Sequence, residues 1–175
     1  MTKKHRKVLY PIILFLGLGL MIWQIIIYRN TIINVIIPIV IVSIVSLIAF
    51  VVDFKNYKNT YDKYSGVSLT FYAIMQSLFS YGFIACSIFI LTNYYLADKK
   101  SVKKSYLIIE RSSLPGRKYH RDERKPTFYI NYEGTKKELV FPHKYYEKME
   151  SYKNVEFEVR EGYLGFDILE NKTLN

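Results

Sequence analysis

The sequence predicts three transmembrane helices followed by a small C-terminal α+β domain with element order β-ββ-α-ββ. Three apolar runs without a charged residue fill most of positions 8–97. After residue 105 the apolar residues alternate with polar ones, which is the pattern of strands in a half-exposed sheet. The charged residues follow the same division, because residues 98–175 carry 17 Lys and Arg and 13 Asp and Glu.

Each apolar run is long enough to cross a hydrocarbon core of about 30 Å, which takes about 20 helical residues. The runs are 8–28, 31–52 and 69–97. The first follows a basic tail, residues 1–7, so a secretory signal peptide is the alternative. Its length and the absence of a small-residue cleavage site favour a retained helix. The first two runs are predicted to form a tight hairpin, and the third to form one long helix.

The interiors of the three runs contain no Asp, Glu, Lys, Arg or His. Transporters and proton relays place such groups inside the membrane, so neither function is favoured. The strongest polar groups are Gln24, Asn34 and Gln76, which we expect to bond between helices or near the interface. Small residues share one face of the third run and predict close helix packing within the chain, with a homo-oligomer contact as the alternative. These small residues are Ala73, Ser77, Ser80 and Ser87.

The distribution of basic residues favours a cytoplasmic N-terminus. Three crossings put the N-terminal tail and the loop after the second run on one side, with 7 Lys and Arg, against 5 on the other side. The first helix usually dominates orientation, and long soluble segments translocate with little regard to charge. We therefore predict an extracytoplasmic C-terminal domain. The high Ile, Lys, Asn and Tyr content indicates an AT-rich bacterial genome, and hence an inner membrane.

Residues 98–104 are predicted to form a basic linker, and residues 105–175 the small domain. Its first strand is "SYLIIE", and its first hairpin joins "TFYINY" to "KELVF". A two-residue turn in this hairpin would pair Ile130 with Lys137 on the core face. Because the register must bring apolar residues to one face, we predict a four-residue loop, 133–136, which pairs Ile130 with Leu139.

The second hairpin is predicted from the strict alternation of "VEFEVREGYLGFDIL". The Glu-Gly dipeptide at 161–162 predicts a two-residue turn that places Val159 opposite Leu164. Between the hairpins, a short helix is predicted to begin after Pro142. Its apolar face consists of Tyr145, Met149 and Tyr152.

The sequence contains no pattern that predicts a catalytic, cofactor or metal site. The single cysteine, Cys86, excludes an intrachain disulfide and a thiolate zinc site. His120 precedes Asp122 and Glu123, but this spacing matches no ligand motif and the neighbouring cations oppose metal binding. We interpret this cluster as an exposed mixed-charge loop, and we find no partner for His143.

The candidate interaction residues are nine of the basic side chains in residues 99–125, a stretch that holds 10 Lys and Arg and only 3 Asp and Glu. Three explanations stay open: a solvated loop, attraction to anionic lipid at about 1 kcal/mol per basic residue, and docking of an acidic protein. Nucleic acid is not expected, because no nucleic-acid module is recognisable. The residues are Lys99, Lys100, Lys103, Lys104, Arg117, Lys118, Arg121, Arg124 and Lys125.

These patterns predict a non-enzymatic integral membrane protein without a cofactor. Its C-terminal β-rich domain would bind a protein or envelope partner at the membrane surface, as an accessory subunit, an immunity-type protein or part of a homo-oligomer. The alternative is a membrane enzyme or transporter whose site the sequence does not reveal. Ala replacement of His120, Asp122, His143 and Gln76 separates the two, because only the enzyme or transporter should lose activity.

Overall fold

The computed structural model describes residues 2–116, 118 and 120–175. The chain forms two compact units. The first contains the residues up to Tyr28 together with Ile33–Tyr95, and the second contains Arg29–Ile32 together with Leu96–Asn175. The four-residue stretch Arg29–Ile32, which includes the first two residues of the second apolar run, therefore belongs to the C-terminal unit, which the sequence does not predict.

The first unit contains three long helices: α1 (Lys3–Arg29), α2 (Ile36–Thr60) and α3 (Gly66–Tyr95). Each is long and apolar enough to cross a membrane, as the sequence predicts. Helix α2 begins five residues later than predicted, and Pro38 lies in its first turn, where a missing N–H is tolerated. Helix α3 contains one π-helical turn, Leu78–Gly82.

Helix α3 packs its small residues against the other two helices, as predicted. Ala73, Ser77, Ser80 and Ser87 are all buried. The predicted polar contacts are also present: those of Gln24 and Gln76 run between helices, and that of Asn34 is local, at the start of α2. The Gln76 amide donates to the backbone oxygen of Tyr10 at 2.9 Å. The Gln24 amide lies 3.5 Å from the Cys86 sulfur, and Asn34 accepts a bond from the backbone N–H of Ile36 at 2.9 Å.

At Gly17, helix α1 lies close to the backbone of α3. A Cβ atom at this position would lie 2.0 Å from the backbone oxygen of Phe79. Backbone atoms cannot yield as a flexible side chain can, so only glycine fits here. Gly19 lies two residues further along the same helix. A Cβ atom built there would have no described atom within 4 Å apart from its neighbours in the chain and the nearby backbone of α1.

We predict that Gly17→Ala destabilises the helical unit and that Gly19→Ala does not. The added methyl group at position 17 forces the helices apart, and overpacking of this kind costs about 1–3 kcal/mol. Thermal unfolding of the detergent-solubilised protein, followed by fluorescence of its single Trp23 in α1, measures the difference. Equal melting temperatures for the two variants would contradict the close contact.

The second unit is a five-stranded antiparallel sheet in the order β3-β2-β1-β4-β5. Its strands are β1 (Ser101–Leu114), β2 (Lys125–Tyr132), β3 (Thr135–Val140), β4 (Asn154–Arg160) and β5 (Ile168–Leu174). The long β1 pairs with β4 through Ser101–Leu107 and with β2 through Ile108–Leu114. The inward residues of all five strands form one apolar core.

The β2–β3 hairpin has the register that the sequence analysis rejected, so the predicted four-residue loop is wrong. The turn is the dipeptide Glu133-Gly134, and both residues adopt positive φ angles, 48° and 87°. This is the conformation of a two-residue turn that matches the strand twist. Ile130 consequently pairs with Lys137, which lies on the core face.

The predicted turn of the β4–β5 hairpin is also wrong. Strand β4 ends at Arg160 and β5 begins at Ile168, so Val159 pairs with Leu169 and not with Leu164. Gly162 does not adopt the positive φ that a tight turn needs, whereas Gly165 does, at 81°. The chain therefore turns over residues 161–167.

The predicted helix after Pro142 is a single 3-10 turn, His143–Tyr145, followed by further turns through Ser151. The three residues predicted for its apolar face nevertheless pack against the sheet core. The carbonyls of Met149 and Tyr152 accept bonds from the guanidinium of Arg111, at 3.3 Å and 2.5 Å. These bonds satisfy backbone groups that a regular helix would pair internally.

The stretch Arg29–Ile32 hydrogen-bonds to the sheet. The N–H of Ile32 donates to the oxygen of Asp167 at 2.7 Å, and the N–H of Leu169 donates to the oxygen of Asn30 at 2.7 Å. Thr31 forms a β-bridge with Ile168 and is only 1% exposed. This pairing explains why α2 does not begin at residue 31 as predicted.

Candidate functional site

The predicted basic residues form two groups at opposite ends of β1. The first lies at its beginning and comprises Lys99, Lys100, Lys103 and Lys104. The second lies in the β1–β2 connection and at the first residue of β2, and comprises Lys118, Arg121, Arg124 and Lys125. The part of β1 between Lys104 and Leu114 separates the groups by roughly 30 Å, at about 3.3 Å per residue. The sheet therefore does not unite them in one surface. Arg117 lies outside the described residues.

Within the first group, Lys104 differs from its neighbours because it points to the core face. Its ammonium group lies 3.1 Å from the carboxylate of Glu133 and 3.5 Å from the hydroxyl of Tyr132. The hydrogen bond to Glu133 raises the pKa of Lys104. Lys99 and Lys100 are exposed in the link before β1, and Lys103 is exposed on the outer face.

The second group forms a mixed-charge loop, as predicted for this segment. Arg124 lies over the ring of Tyr146, 5.8 Å from its centre, and its backbone oxygen is 2.8 Å from Nδ1 of His143. His120 lies 3.2 Å from Glu123. His143 thus has a partner that the sequence did not reveal. In the part of the chain that the structure describes, no three His, Cys, Asp or Glu side chains are grouped to hold a metal.

A second feature, absent from the sequence analysis, is a pair of lysines at the stretch Arg29–Ile32. The ammonium group of Lys137, on edge strand β3, donates to the backbone oxygen of Thr31 at 2.6 Å. The ammonium group of Lys172, on edge strand β5, donates to the side-chain oxygen of Asn30 at 2.7 Å. Lysines from the two opposite edges of the sheet therefore meet at adjacent residues.

The two lysines occupy an environment that disfavours their charge. Burial, followed by the positive charge of Lys172, lowers the pKa of Lys137 to about 8, against a small opposing effect of Glu138. Burial also lowers the pKa of Lys172. Since both groups are cations, they repel one another. The amide and carbonyl oxygens that bind them are neutral, so these oxygens do not cancel the charge.

A neighbouring polar contact connects the same region to the sheet core. The hydroxyl of Tyr132 donates to the carboxylate of Asp167 at 2.5 Å, and the backbone oxygen of Asp167 binds Ile32. Burial, and next the hydrogen bond to Asp167, raise the pKa of Tyr132. This phenol stays protonated at physiological pH, so its role is that of a hydrogen-bond donor.

The outer face of the sheet has an apolar centre. Leu107 and Ile109, on the middle strand β1, are 66% and 52% exposed. Ile109 lies at a bulge where the register of β1 against β2 shifts. Beside them, Lys136 lies 4.5 Å from the ring centre of Tyr129 and forms an ion pair with Glu110. Two adjacent aliphatic side chains are thus displayed among charged ones.

Comparison with known proteins yields no match among protein-family models, curated proteins or solved structures.

The buried lysine pair predicts an unusual pH dependence of stability. A lysine whose folded pKa lies below its unfolded value of 10.5 binds less proton when folded, so stability rises between pH 8 and 10.5. In zwitterionic detergent, the melting temperature of wild type minus that of Lys137→Met should therefore increase as the pH is raised from 7 to 9.5. A stability difference of about 1 kcal/mol corresponds to about 2–4 °C in melting temperature for a chain of this length. If the difference between the two melting temperatures stayed constant over this pH range, the pKa of Lys137 in the folded protein would not be lowered.

Proposed function

We propose that this chain is a non-enzymatic, multi-pass integral membrane protein with three spans. Its N-terminus is cytoplasmic, and its C-terminal sheet domain binds a protein partner on the outer side of the membrane. Its role is that of an accessory subunit or an immunity-type protein, which acts by contact and not by chemistry. Lys99, Lys100 and Lys103, at the start of β1, face anionic headgroups, and the basic group after β1 contacts an acidic partner.

The apolar surface of the three helices supports the membrane location. Large aliphatic and aromatic side chains point outward along their length, and Phe15 and Val52 are 70% and 73% exposed. Exposing apolar surface to water costs about 25 cal/mol per Å², whereas lipid removes this cost. One polar contact of the same helices runs between two of them: the Gln76 amide of α3 donates to the backbone oxygen of Tyr10 in α1 at 2.9 Å, a type of bond that holds helices together in hydrocarbon.

The observation that carries the partner-binding role is the exposed aliphatic pair on the outer face of the sheet. A single exposed aliphatic side chain is ordinary on a protein surface. Two adjacent ones at the centre of a sheet, with charged side chains around them, resemble the apolar core and polar rim of a protein interface. Leu107 and Ile109 occupy this central position. The charged rim includes the Glu110–Lys136 pair.

Variant-dependent co-purification tests this role. Purification from the native membrane in mild detergent should recover a defined partner with wild type and lose it with Leu107→Asp/Ile109→Asp. The control is Ser105→Asp, which adds a charge to the exposed side of the same strand. Recovery of the same partner with both variants, or recovery of the lone chain from wild type, contradicts the proposal.

Cysteine labelling tests the orientation. Lys118→Cys in a Cys86→Ser background places one exposed thiol in the β1–β2 connection. An extracytoplasmic domain predicts that an impermeant maleimide labels intact cells to the same extent as lysed cells. A second variant, Lys58→Cys in the same Cys86→Ser background, places the thiol near the end of α2 and should react with the maleimide only after lysis. The reverse pattern would place the sheet domain in the cytoplasm.

A further inference from the structure

We propose that strand β3, an edge of the sheet, pairs with β3 of a second copy of this chain. The pairing is antiparallel and two-fold symmetric, with Lys137 on the axis, so that Lys136 of each copy lies opposite Glu138 of the other. This surface is the edge of the sheet, whereas the proposed function uses its outer face. The two contacts are therefore independent, and the pairing specifies a homo-oligomer that the sequence leaves open.

The backbone of β3 is paired on one side only. In the sheet order, β3 lies at one end and is bonded to β2. Among the residues that the structure describes, no backbone hydrogen bond joins β3 to any strand other than β2. The opposite edge, β5, instead bonds to a neighbouring segment, because the N–H of Leu169 donates to the oxygen of Asn30 at 2.7 Å. An edge with unpaired N–H and C=O groups is a template for a further strand.

The turn of the β2–β3 hairpin determines which backbone groups of β3 face outward. In a two-residue turn the flanking residues share a hydrogen bond, and bonded and non-bonded pairs then alternate along the ladder. Because Thr135 flanks the turn, the observed register bonds Thr135, Lys137 and Leu139 to β2. The N–H and C=O groups of the alternate residues face the open edge. These residues are Lys136, Glu138 and Val140.

The charged side chains of β3 favour one register for a symmetric pair. Lys136 and Glu138 are both exposed. Centring the pair on either of them would place like charges directly opposite each other, which is destabilising. Centring it on Leu139 forms no ion pair. Centring it on Lys137 places Lys136 opposite Glu138 on both sides of the axis, and each such pair also exchanges backbone hydrogen bonds. Lys136 is already held on this face by its ion pair with Glu110.

The lysine on the axis is directed into its own domain. An inward-facing lysine can protect an edge strand from pairing, because two such cations would meet. Here the ammonium group of Lys137 donates to the backbone oxygen of Thr31 at 2.6 Å. Thr31 in turn bridges to Ile168 of β5, the opposite edge of the same sheet. The two Lys137 side chains of the pair therefore extend away from the axis, and their charges stay apart.

Disulfide formation in membranes that contain the full-length protein tests the register. Tagged Lys136→Cys and untagged Glu138→Cys, both in a Cys86→Ser background, are expressed together and mildly oxidised. Residues of a hydrogen-bonded pair have Cα atoms about 5.5 Å apart, which a disulfide can join. The mixed sample should form a disulfide between tagged and untagged chains, and this heterodimer keeps one Lys–Glu ion pair.

Each variant expressed alone is the matched control. It places its two cysteines two residues apart along neighbouring strands, with Cα atoms roughly 8 Å apart, which is too far for a disulfide. It should therefore form at least about tenfold less disulfide dimer than the mixed sample. Equal yields from the mixed and single samples would indicate random collision and overturn the pairing. The absence of a disulfide from the mixed sample would also overturn it.

Charge reversal separates the interface from folding. Energy transfer between two fluorescently tagged copies in the same membranes should fall about fivefold for Lys136→Glu and for Glu138→Lys, because each opposes like charges. The double variant Lys136→Glu/Glu138→Lys recreates both ion pairs and should recover at least half of the signal, whereas a folding defect would persist. No recovery would contradict the pairing. These variants leave Leu107 and Ile109 intact, so recovery of the proposed partner is measured separately.

Discussion

The pairing of Arg29–Ile32 with the sheet is the constraint on which the C-terminal unit depends. Strands β3 and β5 are the two edges of the sheet, and an open edge exposes unpaired N–H and C=O groups. Thr31 bridges to β5 and its oxygen binds Lys137 of β3. The stretch Arg29–Ile32 therefore contacts both edges of the sheet, with backbone bonds at β5 and a lysine side chain at β3.

The same constraint explains the features that sequence reasoning found difficult. The apolar runs, the alternation of the strands and the packing face of α3 could be predicted, because each depends on local periodicity. The register of β2 against β3 could not. A lysine on a core face appears unfavourable until a carbonyl from a distant part of the chain accepts its hydrogen bond, and Thr31 is 106 residues away. The position of Lys137 on the core face indicates that a hydrogen-bond acceptor must lie nearby, but the sequence does not show which residue supplies it.

The basic residues show a second limit of sequence reasoning. Lys99 to Lys125 form one positive stretch along the chain, but an extended strand carries its two ends apart. Basic residues that are close in the sequence form one charged surface only when the segment between them folds back on itself, and β1 does not fold back. The charges with the most altered environment, Lys137 and Lys172, lie outside that stretch and contribute little to any local charge count.

The division of β1 has a consequence for how the domain opens. Its first half pairs with β4 and its second half with β2, so each hairpin depends on a different set of backbone hydrogen bonds. Native-state opening in proteins follows such cooperative segments. The β4–β5 hairpin, bonded to Asn30 and Ile32 through the residues around Ile168, should exchange its amide hydrogens together with that stretch. The β2–β3 hairpin can then remain protected while its neighbour opens, and the domain behaves as two coupled segments along a common strand.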